Sequence, residues 1–186
     1  MNKLSLNLSP LLIEKLQAYS QWVVDVWDEP KEGYLLRDHA IMTLGLCGES
    51  SEVVETVEKA NQTDSKDALK KSLTKELGDC LYYTVMIAKS QGYGFSSHQE
   101  SSSALYNLKD LPYYSGFIAE KYKKEIRKSP DIPNIDIKAQ LEEYFNVLIW
   151  CCEQHTDGFL HVMQENEIKL NDRLRRNVLI GEGNDR

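Results

Sequence analysis

Several features that define other classes of protein are missing from this 186-residue chain. No apolar run approaches the ~20 residues that span a bilayer. No long apolar segment lies between Lys3 and Glu14, so neither a membrane helix nor a signal peptide is expected. The four cysteines form no Cys-x-x-Cys pair and are predicted to be reduced core thiols of a cytoplasmic protein. The Gly-x-x-x-x-Gly-Lys-Ser/Thr loop is also missing, which excludes a P-loop nucleotide enzyme.

An excess of positive charge is missing as well. The chain has 22 lysines and arginines against 29 aspartates and glutamates, a net charge of −7. This balance argues against a general nucleic-acid binder, although a local basic patch would still suit a small phosphorylated ligand. The length fits a single domain covering residues 1–186.

Strand-type alternation of apolar and polar residues is not seen, and nearly the whole chain has helical periodicity. Ser9-Pro10 is a helix start signal, and Asp64-Ser65 is another. The polar residues 96–103 are compatible with a short helix or a loop. The predicted fold is therefore all-α, an antiparallel helical bundle. The expected helices cover about 11–27, 38–61, 65–92, 113–128, 137–155 and 159–175.

Two pairs of carboxylates are the most informative residues present. Glu49 and Glu52 lie three residues apart, and the same spacing recurs in Glu76 and Asp79, which begin 24 residues after Glu52. On an α-helix this spacing puts both members of a pair on one face. Lys75 is the only basic residue three or four positions from any of them. Oxygen ligands in such a cluster suit a hard cation, Mg²⁺ or alternatively Mn²⁺.

The apolar setting of these acids separates them from ordinary surface charges. Glu76 and Asp79 share a helical stripe with Leu73, Cys80 and Met86, so they are expected to face the core. A buried carboxylate costs several kcal/mol unless it is paired or bound to a metal. A single Glu-x-x-Glu is usually a solvated helix face, but two pairs in apolar stripes favour a site.

Longer stretches around these acids resemble a known family. The stretches are residues 45–53 (GLCGESSEV), 76–83 (ELGDCLYY), 166–173 (NEIKLNDR) and 181–186 (GEGNDR). Together they are similar to the MazG-like all-α nucleoside triphosphate pyrophosphohydrolases, in which a Glu-x-x-Glu helix and a Glu-x-x-Asp helix are followed by an Asn-x-x-Lys-Leu-x-x-Arg element.

The resemblance implies a hydrolase that cleaves a nucleoside triphosphate between its α- and β-phosphates, giving the monophosphate and pyrophosphate in nucleotide-pool house-cleaning. The implied metal ligands are Glu49, Glu52, Glu76 and Asp79, and either Glu49 or Glu52 is an alternative general base. Base and sugar preference are not indicated by any motif. The implied substrate contacts are Lys59, Tyr82, Tyr83, Asn166, Lys169, Arg173 and Arg186. For Lys59, a solvated position near its helix C-terminus is the alternative.

Residues 96–160 depart from the family pattern, because many relatives place the flanking elements almost next to each other. Small relatives build a four-helix bundle from two chains, so a homodimer is expected. A shift of 64 residues aligns 77–88 with 141–152, which leaves a single-chain pseudo-dimer as the alternative. Gln140 would then replace Glu76, so the second half would lack the acids. Two unrelated helices of similar period explain the alignment equally well.

Two other functions were compared with this one. A ferritin-like di-iron protein requires Glu-x-x-His on two helices, and no histidine lies three residues after a glutamate here. A catalytically inactive nucleotide-binding or interaction protein of the same fold is the remaining alternative. The complete set of four acids argues against it.

Overall fold

The computed structural model describes residues 2–27, 36–60, 65–98, 106–128 and 135–176. Within them the elements are β1 (Lys3–Leu6), α1 (Pro10–Trp27), α2 (Leu36–Ala60), α3 (Lys66–Ser90), β2 (Gly94–Ser97), α4 (Asp110–Lys128), α5 (Lys138–His155) and α6 (Phe159–Arg175). The all-α prediction is confirmed.

The helix boundaries follow the predicted start signals. Ser9 caps α1, because its Oγ accepts a hydrogen bond from the backbone N–H of Leu12 at 3.3 Å. Ser65 caps α3 in the same way, accepting from the N–H of Ala68 at 3.3 Å. Its predicted partner in the start signal, Asp64, lies outside the described residues. These caps satisfy backbone donors that have no partner inside their helix.

The expectation that strands are absent was wrong at two short segments. Strands β1 and β2 form a parallel pair in which Leu4 faces Phe95 and Leu6 faces Ser97. Four residues are too few for alternation to stand out in the sequence, although Leu4 and Leu6 are both fully buried. The two strands lie on either side of α1, α2 and α3 in the chain, as a parallel pair requires a long crossover.

Helices α2, α3, α4 and α5 form a four-helix arrangement, in which α2 packs against α3 and α4, and α5 packs against the same two helices. Helix α2 is antiparallel to α4, since His39 stacks near Tyr122 and Cys47 lies beside Ser115. All four cysteines are free thiols.

Helix α6 lies along α3 and runs in the same direction. Lys70 near the start of α3 pairs with Asp157, just before α6, and Asp79 further along α3 bonds to Asn166. A Cβ placed on Gly78 would be 3.0 Å from the Cβ of Asn166, so the helices cross closely there. This crossing brings α6 next to the predicted acidic helix.

The proposed repeat has a counterpart in the fold but also a difference. The aligned segments 77–88 and 141–152 both lie in central helices, α3 and α5. However, Gly94 begins a strand, whereas Gly158, its counterpart under the shift, precedes α6 with a positive φ of 101°. Across the described segments, no helix combines the length and apolar character that a membrane span requires.

Candidate active site

Three of the four predicted metal ligands converge. Glu49 on α2 and Glu76 and Asp79 on α3 each contribute an oxygen, and these oxygens lie within 4.8 Å of one another. Antiparallel packing of α2 on α3 brings them together. Glu76 and Asp79 are buried, with only 9% and 8% of their surface exposed. Both therefore face the core, as the apolar stripe predicts.

Two acids of the cluster, Glu49 and Glu76, have a raised pKa. Burial, followed by the charges of Asp79, Glu52 and Glu76, raises the pKa of Glu49 from 4.5 to about 8. Burial and the charge of Asp79 also raise the pKa of Glu76, while Lys169 and Lys75 oppose this. Burial therefore disfavours the charged form of both carboxylates, and the neighbouring acids disfavour it further.

One carboxylate oxygen stands out. Glu76 Oε2 is buried and has no hydrogen-bond partner among the described residues. Buried acceptors rarely lack a partner, because they lose their hydrogen bonds to water on folding and gain none in the protein. An oxygen without a protein partner, beside two further carboxylates, fits the donor set of a divalent hard cation. The residues present thus fit the metal that the sequence predicts.

Glu52, the fourth predicted ligand, is not part of this group of oxygens. It is half-buried one turn further along α2, and its charge still raises the pKa of both Glu49 and Glu76. The structure therefore brings three of the four carboxylates together at one point. Glu52 lies at the edge of the cluster rather than within it.

Asp79 is held by α6. Its Oδ1 accepts a hydrogen bond from the side-chain amide of Asn166 at 3.1 Å, and its Oδ2 accepts one from Lys169. The amide oxygen of Asn166 in turn accepts a hydrogen bond of 2.6 Å from the Tyr19 hydroxyl on α1. Asn166 is only 2% exposed. The chain Tyr19–Asn166–Asp79 fixes the orientation of one predicted metal ligand.

This position differs from the one expected for Asn166. As a predicted base or sugar contact it would be open to ligand, but both ends of its amide are already engaged with protein. Lys169 is placed differently again, since it pairs with Asp79 and also lines a cleft. Arg173 lines the same cleft, four residues further along α6.

The two tyrosines after the acidic motif have different neighbours. The ring of Tyr83 lies against Gly45 on α2, where an added Cβ would be 2.4 Å from its nearest ring atom. Tyr82 lies near Trp27 of α1, with ring centroids 6.1 Å apart, and edge-on to Tyr83. Tyr83 therefore packs between helices, while Tyr82 belongs to an aromatic group at the end of α1.

Lys59, another predicted contact, is not brought to the acids. Lys59 is exposed at the end of α2 and pairs with Glu55 at 2.6 Å, the arrangement described above as its alternative. Arg186 lies outside the described residues.

A cleft of about 650 Å³ opens beside the cluster, between the first half of α3 and one face of α6. Glu76 belongs to both, so the cleft leads directly to the acids. Its walls are largely charged. Its basic residues are Lys70, Lys71, Lys75, Lys169, Arg173 and Arg176, and its acidic residues are Asp67, Glu76, Asp157, Glu165 and Asp172.

Sequence reasoning missed three residues here. Lys75 appeared only as a weak counter-charge, and Lys71 lies one helical turn before it on the same face. Their spacing was therefore a usable signal. No sequence signal indicated Tyr19, because its role depends on a contact with Asn166, 147 residues further along the chain.

One of three comparisons with known proteins gives a match. Residues 37–103 match the model of the MazG nucleotide pyrophosphohydrolase domain, a segment that contains all four predicted metal ligands. Over this segment the chain is similar to the MazG nucleotide pyrophosphohydrolase domain, which confirms the resemblance seen in its motifs. No curated protein and no solved structure gives a match.

Proposed function

We propose that the protein is a Mg²⁺-dependent nucleoside triphosphate pyrophosphohydrolase. The observation that carries this proposal is the convergence of Glu49, Glu76 and Asp79 around a buried oxygen, Glu76 Oε2, that has no partner in the described structure. The family match supports nucleotide pyrophosphohydrolase activity in general. The reaction proposed is cleavage between the α- and β-phosphates, with release of pyrophosphate.

The metal is proposed to bind between Glu49, Glu76 and Asp79. When bound, Mg²⁺ would supply positive charge to phosphate oxygens and lower the pKa of a coordinated water. Tyr19 and Asn166 would hold Asp79 in one orientation, as groups behind a metal ligand commonly do. Glu52 is close enough to affect the other acids but lies outside the ligand group, so it is our candidate for orienting the attacking water.

The protein would also supply cations for the substrate. Lys169 is already bound to Asp79 and lines the cleft, and Arg173 projects from the next turn of the same helix. A guanidinium can bind two phosphate oxygens at once. Lys59 and Arg186 remain predictions from the motif alone.

The nucleobase is proposed to bind on the other side of the acids. Tyr82 is three residues after Asp79, and it groups with Trp27. Aromatic faces of this kind can stack on a base. Tyr82 would then have the substrate role predicted for it, and the ring of Tyr83 would pack edge-on against the ring of Tyr82.

We further propose that one chain is sufficient for the fold. The α4–α5 pair packs on α2 and α3 within one polypeptide, which favours the single-chain pseudo-dimer over the homodimer. Light scattering of the purified protein would distinguish the two, since a homodimer has twice the mass of the 21.4 kDa chain. A cytoplasmic location is part of the same proposal.

A panel of canonical and modified nucleoside triphosphates tests the function directly. Pyrophosphate release would be measured with Mg²⁺, with Mn²⁺ and with a chelator, for the wild type and for Asp79→Asn. We expect release with at least one triphosphate, which depends on the metal and is lost in the variant. Binding of triphosphates without any release by the wild type would favour the inactive nucleotide-binding protein instead.

A further inference from the structure

The cleft beside the acids has a charge pattern that the proposed metal centre does not account for. Three of its basic residues have an acidic partner: Lys70 with Asp157, Arg176 with Asp172, and Lys169 with Asp79. The other three form no ion pair within the described residues; they are Lys71, Lys75 and Arg173. They come from both walls, the two lysines from α3 and the arginine from α6.

The two lysines are arranged as a line that leads away from the metal ligands. Lys75 immediately precedes Glu76 in the chain, and both residues line the cleft. Lys71 is one turn further from the acids on the same face of α3, ~6 Å along the helix. Both side chains are exposed to the cleft. A chain of phosphate groups that starts at the acids would meet Lys75 first and Lys71 next.

The residues that line the cleft suit the phosphate groups of a nucleotide better than its base. No phenylalanine, tyrosine or tryptophan lines the described part of the cleft, and Ile168 is its only large apolar residue. The only ring described there is that of His161, which lies 3.9 Å from the carboxylate of Asp157. The larger aromatic rings of Tyr82 and Trp27 lie beyond the acids in the opposite direction along α3. Asp67 and Glu165 also line the cleft and form no ion pair within the described residues. Asp67 lies one helical turn before Lys71 on α3, further from the acidic cluster.

From these observations we infer that Lys71 and Lys75, with Arg173, form a polyphosphate-binding site in this cleft. The site receives the β- and γ-phosphates of the substrate and the pyrophosphate leaving group. The inference rests on the proposed function for the identity of the reaction, but the ligand chemistry, a linear polyphosphate, follows from the cleft itself. Lys75 contacts the phosphate nearer the acids, and Lys71 contacts the terminal one.

Binding of inorganic tripolyphosphate to the full chain in Mg²⁺ buffer tests the site without turnover. Calorimetry would compare the wild type with Lys71→Gln/Lys75→Gln. The matched control is Lys66→Gln/Lys89→Gln, which removes the same charge from the same helix at residues outside the cleft. A charged hydrogen bond contributes enough that we expect the dissociation constant to rise at least about tenfold in the cleft variant. The control should bind as the wild type does.

Kinetics then separate the two lysines. We expect Lys71→Gln to raise the KM for nucleoside triphosphates while that for nucleoside diphosphates stays near the wild-type value, because a diphosphate lacks the terminal group. Lys75→Gln should raise both. Unchanged tripolyphosphate binding in the cleft variant, or equal weakening in the control, would overturn the inference.

The two proposals fail in different ways. A wild type that binds tripolyphosphate through Lys71 and Lys75 but releases no pyrophosphate would reject the hydrolase and keep the cleft assignment. A wild type that hydrolyses triphosphates with kinetics unaffected in the cleft variant would keep the hydrolase and reject the polyphosphate site.

Discussion

The side-chain amide of Asn166 donates a 3.1 Å hydrogen bond to the carboxylate of Asp79, joining α6 to the acidic face of α3. Since Tyr19 holds the other end of that amide, a residue near the start of the chain orients a metal ligand through one near its end. A buried hydrogen-bond network of this kind stabilises the fold most when it is complete, because removal of one member leaves another as an unsatisfied polar group.

Removal of the Tyr19 hydroxyl tests this relationship. Tyr19→Phe leaves the buried amide oxygen of Asn166 without its donor, so we expect a loss of about 1–3 kcal/mol in the free energy of unfolding. Affinity for the divalent metal should also fall, by roughly tenfold or more, as Asp79 becomes less well oriented. Urea denaturation and metal titration would measure the two effects. Tyr113→Phe is the control, because Tyr113 is 60% exposed on α4. An unchanged metal affinity in Tyr19→Phe would leave Tyr19 with a structural role alone.

Neutralising a buried acid should have opposite effects on activity and on the stability of the metal-free protein. Glu76→Gln removes a ligand, and we expect turnover to fall by more than about a hundredfold, beyond the usual effect of a group behind the ligands. Without metal the variant should unfold at a higher temperature, because like charges are no longer forced together. Pyrophosphate release and circular dichroism would be measured on the same samples. Glu58→Gln, on the exposed side of α2, is expected to change neither. Full activity in Glu76→Gln would remove this carboxylate from the mechanism.

The stability of the metal-free protein should depend on pH. Folding raises the pKa of Glu49 from 4.5 to about 8, so the folded state holds a proton that the unfolded state has released between these values. The free energy of unfolding therefore falls as the pH rises from 4.5 to about 8. Chelator-treated protein would be denatured with urea at a series of pH values. Glu49→Gln should flatten this dependence, and Mg²⁺ should restore most stability at the alkaline end. A wild-type profile that rises over this interval would contradict the pKa of Glu49.

Two glycines on α2 provide a matched test of helix packing. A Cβ at Gly45 would lie 2.4–2.8 Å from three atoms of the Tyr83 ring, so Gly45→Ala should cost about 1–3 kcal/mol. Gly48 has nothing within 4 Å of its added Cβ, and Gly48→Ala should stabilise the helix by up to about 1 kcal/mol. Thermal unfolding of the two variants would give shifts of opposite sign. Combining Gly45→Ala with Tyr83→Leu should recover part of the loss, and equal effects of both alanines would show that the ring gives way.

Much of the fold could be predicted because it depends on local patterns. Helix periods, the Ser9 and Ser65 caps and the core-facing position of Glu76 and Asp79 are set by residues within a few positions of one another. Convergence of Glu49 with the α3 acids could be inferred from matching apolar stripes on consecutive helices.

The parts that could not be predicted depend on distant contacts or on small displacements. The pairing of β1 with β2 joins residues 91 positions apart, through strands too short to show a period. The exclusion of Glu52 from the ligand group is a matter of one helical turn, which spacing alone does not resolve. The sequence indicated Asn166 as a base or sugar contact, whereas its engagement with Tyr19 requires α1 to lie where only the folded chain puts it.

The parallel strand pair also has a consequence for the order in which the protein assembles. Residues 3–6 leave the ribosome before their partners at 94–97, which follow α3, so β1 must wait until three helices have been made. Helices α2 and α3 are adjacent in the chain and close a much shorter loop. Their docking therefore loses less chain entropy than the pairing of the strands, and it comes earlier. We expect the acidic helices to be paired during synthesis before β1 pairs with β2, and before α6 arrives to engage Asp79.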